Sequence, residues 1–427
     1  MREGGQVLLV ITLLLLAGSM VVTSAMISLV ASQHRVAKEM QLAKQSLALA
    51  EGALEEVVYR HKNGLNVSST EVLIEGITTV TTDTTNTLDG MDVVSVSDHA
   101  GRIRKLETVL IEGDGASFAF GVQTDNGGIF LENNSEVLGN IYSNGPIVGH
   151  GLNRVTGTAI SAGPSGYIYE IHATGSMYAH EIEDSYTEED AYYQVIDVGT
   201  VVDGTKYPGS PDLATTTLPI SDAMLDSWAD YASSSDVLEA ECIAAGGTIV
   251  YDADVTLGPA KIPCDVEFEK FPVITIAGVL WIEGDVSFTQ GPEFEIHPGI
   301  GNKSVPIIVD DPADRLTSGR VDMANSGSWS GNGNRSYLLL VSRNESAEQG
   351  GSEVAIGITN STGGALITYA PHGEINMRNN TDLTEITAYR VRLENNTQVI
   401  YDTGLASAIF NTGPGGGYVI DSWTEVE

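Results

Sequence analysis

The chain has 427 residues, two cysteines and a net charge of −36, from 57 acidic against 21 basic side chains. A surface this acidic repels nucleic acid and anionic lipid headgroups, which sets both aside as partners. The length leaves room for two or three domains, each able to bury a core.

The first element is apolar. From Val7 to Val30 no residue is charged, and at 1.5 Å per residue such a helix crosses a hydrocarbon core of ~30 Å. The run exceeds a secretory signal core and leads into more helix, so a retained membrane segment is expected over 6–31. Basic residues flank it on both sides (Arg2 before; Arg35, Lys38 and Lys44 after), so charge does not assign its orientation. Ser24, Ser28 and Ser32 form a stripe that would let a second helix approach closely. Val36, Met40, Ala43, Leu47, Ala50, Leu54 and Val57 then recur at alternating four- and three-residue steps. This heptad seam predicts an amphipathic continuation over 32–63, packed on a head domain or a neighbouring helix.

After Gly64 the texture changes to alternation rich in Val, Thr and Ile. About four strands are expected over 64–115, with turns at Asp89-Gly90 and Ala100-Gly101. The next segment repeats itself. Val137–Gly145 aligns with Val155–Gly163 at a shift of 18, a third copy keeps Gly175 at the same shift, and Ile129 and Ile147 share it. Near the C-terminus Ile375–Leu383 aligns with Val391–Val399 at a shift of 16, which sets Glu374 over Arg390, Arg378 over Glu394 and Asn379 over Asn395. Short strands with glycine corners at constant period predict stacked coils. The expected fold is therefore mainly β: a long N-terminal helix, a small meander, then a right-handed parallel β-helix (β-solenoid) over 116–184 and again over 242–427, the latter ending in a C-terminal cap. Between them, 185–241 reads as an irregular insert carrying a helix over 221–234. Ser221 is its expected N-cap, and Met224, Leu225, Trp228 and Tyr231 share one face.

No nucleophile elbow, P-loop, dinucleotide fingerprint or HExxH motif is present, so no catalytic residue and no cofactor is assigned. Asp310, Asp311 and Asp314 form the tightest carboxylate cluster and are candidate Ca²⁺ ligands, weighed against a plain turn. His172, His180 and Glu181 are weighed as a metal site against ordinary surface placement. Cys242 and Cys264 either pair, closing a loop worth about 3 kcal/mol, or stand as buried thiols. Asn-x-Ser/Thr triplets begin at Asn66, Asn133, Asn302, Asn334, Asn344, Asn360, Asn379 and Asn395. They read either as N-glycosylation acceptors or as corner residues that tolerate tight turns.

The start of the chain resembles the type IV pilin-like family, most closely the PilX-type minor pilins. The residues that carry the likeness are Gly4-Gly5, the apolar helix from Gln6 and the phrase Leu49–Arg60. The remainder is similar to the solenoid-bearing, PilX-related surface proteins of small-genome bacteria. That likeness rests on Gly127-Gly128, Glu132–Ser135 and Gly139–Gly145, on the Pro-Ile-Ser-Asp helix ending in Trp228, and on Ser422-Trp-Thr-Glu. The resemblance implies a short leader over 1–5, cleaved between Gly5 and Gln6. It also implies a non-enzymatic, membrane-anchored surface protein whose partners are other pilin subunits or the assembly machinery, and a glycan or host-cell surface. Pilins place a Glu five residues after the cleavage point, where this chain has Val10. The difference fits a tip or initiating subunit, or a surface anchor that never polymerises, better than a repeating one, and the expected role is a minor or tip pilus subunit or adhesin. The alternatives are a membrane-tethered glycan-active β-helix enzyme and a Ca²⁺-dependent adhesin.

Overall fold

The computed structural model describes Glu3 to Val426 apart from 63–66, 87–89, 113, 117, 302, 325–326, 333–335, 361–362, 403–404, 406–407 and 411–417, with side chains also left aside at 3–10, 25, 28–29, 61–62, 86, 90, 111–116, 408–410 and 418–421. The chain is mainly β and forms two units, 1–112 with 417–427, and 113–416.

In the first unit one helix, α1 (Glu3–Lys62), runs through both the apolar and the amphipathic stretch. Its last turns bury Ala50, Leu54, Val57 and Val58 against Met91, Val93, Leu106 and Leu110 of an antiparallel sheet. The strands are β1 (Thr70–Glu75), β2 (Thr78–Asn86), β3 (Gly90–His99) and β4 (Arg102–Glu112), each paired with the next. On β3 buried Met91, Val93, Ser95 and Ser97 alternate with half-buried Asp92, Val94, Val96 and Asp98, which is the pattern of a sheet covered on one face. The meander is thus present as expected, with one addition. The C-terminal strand Tyr418–Val426 pairs antiparallel with β4 and brings Trp423 onto the same core, so the final residues do not cap the second unit.

The upper seam is consumed by this packing, whereas Val36 and Met40 stay exposed. The apolar stretch is bare: Leu14, Leu15, Leu16, Met20, Val21 and Val22 are each more than half exposed. Among the described residues no helix is long and apolar enough to cross a membrane. The bilayer span expected over 6–31 is therefore not supported. The leader junction at Gly5 and Gln6, and Ser28 of the small-residue stripe, have side chains outside the described residues.

In the second unit short strands pair in parallel in three columns, and the spacing of partners is the repeat read from the sequence. Val137 lies beside Val155 and Val155 beside Ala173, while Ile129 lies beside Ile147. Ile375 lies beside Val391, with Glu374 beside Arg390 and Arg378 beside Glu394. In-register parallel pairing sets like on like, and one column carries an unbroken inward ladder of Ile249, Val266, Val286, Val321, Ile356, Ile375, Val391, Ile129, Ile147, Ile168, Ile182 and Ile196. Each of these side chains except the half-buried Ile196 stabilises by about 1.5–3 kcal/mol.

That ladder also shows what the repeats alone do not. Val391 neighbours Ile129, Ile386 neighbours Val122 and Val399 neighbours Val137. The two repeat blocks are one continuous stack, with the C-terminal block docked onto the first strands of the N-terminal block. The chain enters in the middle, runs to Lys206–Pro208 at one end, and resumes at Thr248 at the other. Strands persist through Val201–Val202 and Lys206–Pro208, so the regular part extends past the expected boundary at 184.

The return path is the segment expected as an irregular insert. Leu213 accepts from the Gly163 amide (2.8 Å), Ala214 from the Tyr142 hydroxyl (2.9 Å) and Thr216 from the Asn144 side chain (2.8 Å). Ile220 accepts from the Tyr369 hydroxyl. Helix α2 (Asp222–Ser235) follows, with Ser221 as N-cap accepting from the Met224 amide at 3.3 Å. Leu225 and Trp228 are buried with Val279, Ile308, Leu339 and Tyr369, and Met224 and Tyr231 pack beside them. Pro211 and Pro219, which have no amide to donate, keep the strap out of the strand ladder. A short helix, α3 (Glu239–Ala244), then leads into the first strand, and Cys242 joins Cys264 in a disulfide.

Candidate functional site

Asparagine pairs turn the stack's corners. Asn133, Asn134, Asn379, Asn380, Asn395 and Asn396 all have φ between 50° and 65°, a left-handed conformation that Asn tolerates better than other side-chain-bearing residues. Their amides bond up the stack. Asn395 Nδ2 donates to Asn379 Oδ1 (3.5 Å), Asn133 Nδ2 to Asn395 Oδ1 (3.3 Å) and Asn134 Nδ2 to Asn396 Oδ1 (3.1 Å). The hydroxyls completing these triplets are buried: Ser135 donates to Leu393 O and Thr381 to Arg378 O. At Asn133, Asn379 and Asn395 the corner reading therefore describes the folded chain. Asn344 is also buried, donating to Ser318 O at 2.9 Å. Asn360 is exposed and bonds Ala324 O, while Asn66, Asn302 and Asn334 lie outside the described residues.

The Asp310 cluster is not a cation cage. Asp310 is 1% exposed and takes both nitrogens of the Arg315 fork, at 2.7 and 2.9 Å, with Arg343 Nη1 at 3.2 Å. Two guanidiniums satisfy its charge in the way a metal would. Asp311 caps its own turn through the Ala313 amide. Asp314 is held below the usual carboxylate range first by the Thr317 hydroxyl. No group of three metal-ligating side chains occurs among the described residues. Chelation with EDTA is accordingly expected to leave the melting temperature unchanged, and a drop of several degrees would restore the Ca²⁺ reading. His172 and His180 also separate. The first faces Glu188 and Tyr186, the second Asp212 of the strap.

Arg343, 6% exposed, reaches from Asp310 to Asp226 of α2 at 2.5 Å. His372 sits between Asp222 and Glu348, at 3.2 and 2.5 Å. Burial opposes its charge, but the two carboxylates outweigh burial and hold its pKa above the ordinary value. Helix α2 is thus seated on ion pairs that sequence spacing does not reveal, since Asp222 and Asp226 lie more than 100 positions from His372 and Arg343.

Glu385 is fully buried on the face that the strap covers, with only Thr387 Oγ1 donating to Oε1 and Oε2 unpartnered. Burial pushes its carboxyl well above the usual range. The folded state then binds a proton that the unfolded chain releases, so stability is full below the ordinary carboxylate pKa and falls as pH rises towards the folded value. His372 acts in the same sense, its contribution being lost as pH rises through its raised value. Glu385→Gln, an amide in place of the neutral acid, is expected to be more stable than the parent at neutral pH. It should also flatten the decline seen in urea melts between pH 4 and 8. An unchanged slope would mean that Glu385 is ionised in the fold.

No protein-family model matches the chain, and no curated protein matches it. Among solved structures it is similar to the competence-associated pilin ComZ from Thermus thermophilus, at 9% identity over 91% of this chain and 96% of that one, with a TM-score of 0.27. It is also similar to an ice binding protein from an Antarctic biological consortium, at 10% identity over 66% of this chain and 86% of that one, with a TM-score of 0.24. Neither is near enough to carry an inference about fold or function.

Proposed function

We propose that the chain is a non-enzymatic, pilin-like surface protein, a tip or minor pilus subunit or adhesin, in which a right-handed β-solenoid is displayed from a helical anchor. The observation that supports this reading is the division of α1. Its upper part is buried on a sheet of its own chain, while the large apolar side chains described between Ile11 and Val30 stand exposed. Leaving such a stretch in water costs about 25 cal/mol per Å², so a second medium must cover it. Lipid before assembly, and helices of neighbouring subunits within a filament, are the media that suit an unbroken apolar helix. The phrase Leu49–Arg60 and the leader-like Gly4-Gly5 supply the pilin resemblance. Val10, where pilins have Glu, favours a subunit that ends or starts a filament over one that repeats.

Intact-mass measurement of the protein purified from its native envelope tests the processing step. A mature chain beginning at Gln6 is expected, and retention of Met1 would remove the pilin reading.

A further inference from the structure

One outward row of the stack is interrupted at a single position. In the outward row Ser287, Asp322, Gly357, Asn376, Arg392 and Phe130 are successive neighbours, and only Gly357 presents nothing. Most glycines of the stack are explained by their surroundings. A Cβ on Gly175 would fall 2.7 Å from Gly157 C, and one on Gly149 would fall 2.2 Å from Glu170 O. Gly357 has no such reason: its φ is not in the left-handed region, and a Cβ there would meet nothing nearer than 3.9 Å. A glycine within a strand costs roughly 0.5–1 kcal/mol relative to alanine, and no packing gain offsets it here. What the missing side chain leaves is a trough of about 450 Å³ running across the stack.

The walls of the trough are polar and of mixed sign. On one side stand Asp285, Arg320, Asp322 and Glu353, and on the other the exposed Arg378, held by the buried Asn376. Arg320 is fixed by Asp285 (2.8 Å) and Glu353 (2.6 Å), and Arg378 Nε donates to Asn376 Oδ1 (3.0 Å). Asp322 is exposed. Three carboxylates repel a polyanion and two guanidiniums repel a polycation. Alternating donors and acceptors, held in place by their own pairs, match a ligand whose every hydroxyl both donates and accepts. We infer that this trough is a binding site for a neutral glycan chain, seated over Gly357 between Asp322 and Arg378. The inference deepens the adhesin reading by naming a ligand class, and it does not depend on what covers α1.

The test is calorimetric titration of the full-length protein in detergent. The probes are cello-, malto-, manno- and chito-oligosaccharides, with oligogalacturonate and chitosan oligomers as charged counterparts. A neutral series is expected to bind with a Kd between micromolar and millimolar. Gly357→Gln, which puts a side chain into open space, is expected to weaken that binding at least about tenfold with no change in melting temperature. Asp322→Asn should weaken it as well and serves as the deciding variant if Gly357→Gln unfolds. Failure of every neutral series, preference for a charged oligomer, or binding unaffected by the folded variants would overturn the inference. None of these outcomes bears on the fate of the N-terminal helix, which is measured separately.

Discussion

Trp228→Ala is expected to lower the unfolding free energy by about 3–5 kcal/mol. Trp228 is completely buried, on the face of α2 that meets Val279, Ile308, Leu339 and Tyr369. These residues stand on successive stretches of the stack, so the indole binds several levels at once. Truncation leaves a cavity that the strands, held by their own ladders, cannot collapse to fill. The strap joins the two ends of the stack and spans the seam where Val391 meets Ile129. Its loss should therefore lower the midpoint of a urea melt for the whole unit rather than fray one end. A loss below about 1 kcal/mol would mean that α2 is an appendage.

The second large effect is expected at a glycine. Gly175→Ala should cost about 3 kcal/mol, at the upper end of overpacking penalties. Its Cβ would lie 2.7 Å from Gly157 C, 2.8 Å from Gly157 O and 2.8 Å from Thr158 N. All three are backbone atoms, and moving them breaks the bond from the Gly175 amide to Gly157 O at 3.1 Å. Gly357→Ala, in a strand of the same stack, is expected to be neutral or slightly stabilising. Parallel thermal melts of the two variants check the contrast, and equal effects would contradict it.

The contrast explains how much of the fold is legible in the chain. Parallel in-register strands set residues one period apart on top of each other, so the shifts of 18 and 16 residues survive in the sequence as glycine, asparagine and charge repeats. Glu374 over Arg390, Arg378 over Glu394 and the asparagine columns stand as expected for that reason. The joining of the two blocks is not apparent from the repeats, because periodicity within a block says nothing of which block it abuts. A signal exists in Asn133-Asn-Ser, Asn379-Asn-Thr and Asn395-Asn-Thr, one corner motif shared by both blocks. The strap leaves no period at all. Its contacts run from its backbone and from Asp222 and Asp226 to residues far along the chain, over a hundred positions away for the two aspartates. Asp310 misleads because Asp311 and Asp314 suggest a carboxylate cluster, whereas Arg315 of the same segment and Arg343 from a later strand level hold it.

The central claim of the proposal is that the apolar side chains described between Ile11 and Val30 are covered by something other than this chain, while the stack faces the outside. The two native cysteines are paired, so single added thiols report cleanly. Val22→Cys and Thr256→Cys, at exposed positions on α1 and on the stack respectively, would be treated in intact native envelopes with a membrane-impermeant maleimide. Labelling of the Thr256→Cys protein with protection of the Val22→Cys protein, reversed only by detergent, is the predicted result. Equal labelling of both, or protection of both, would contradict the account.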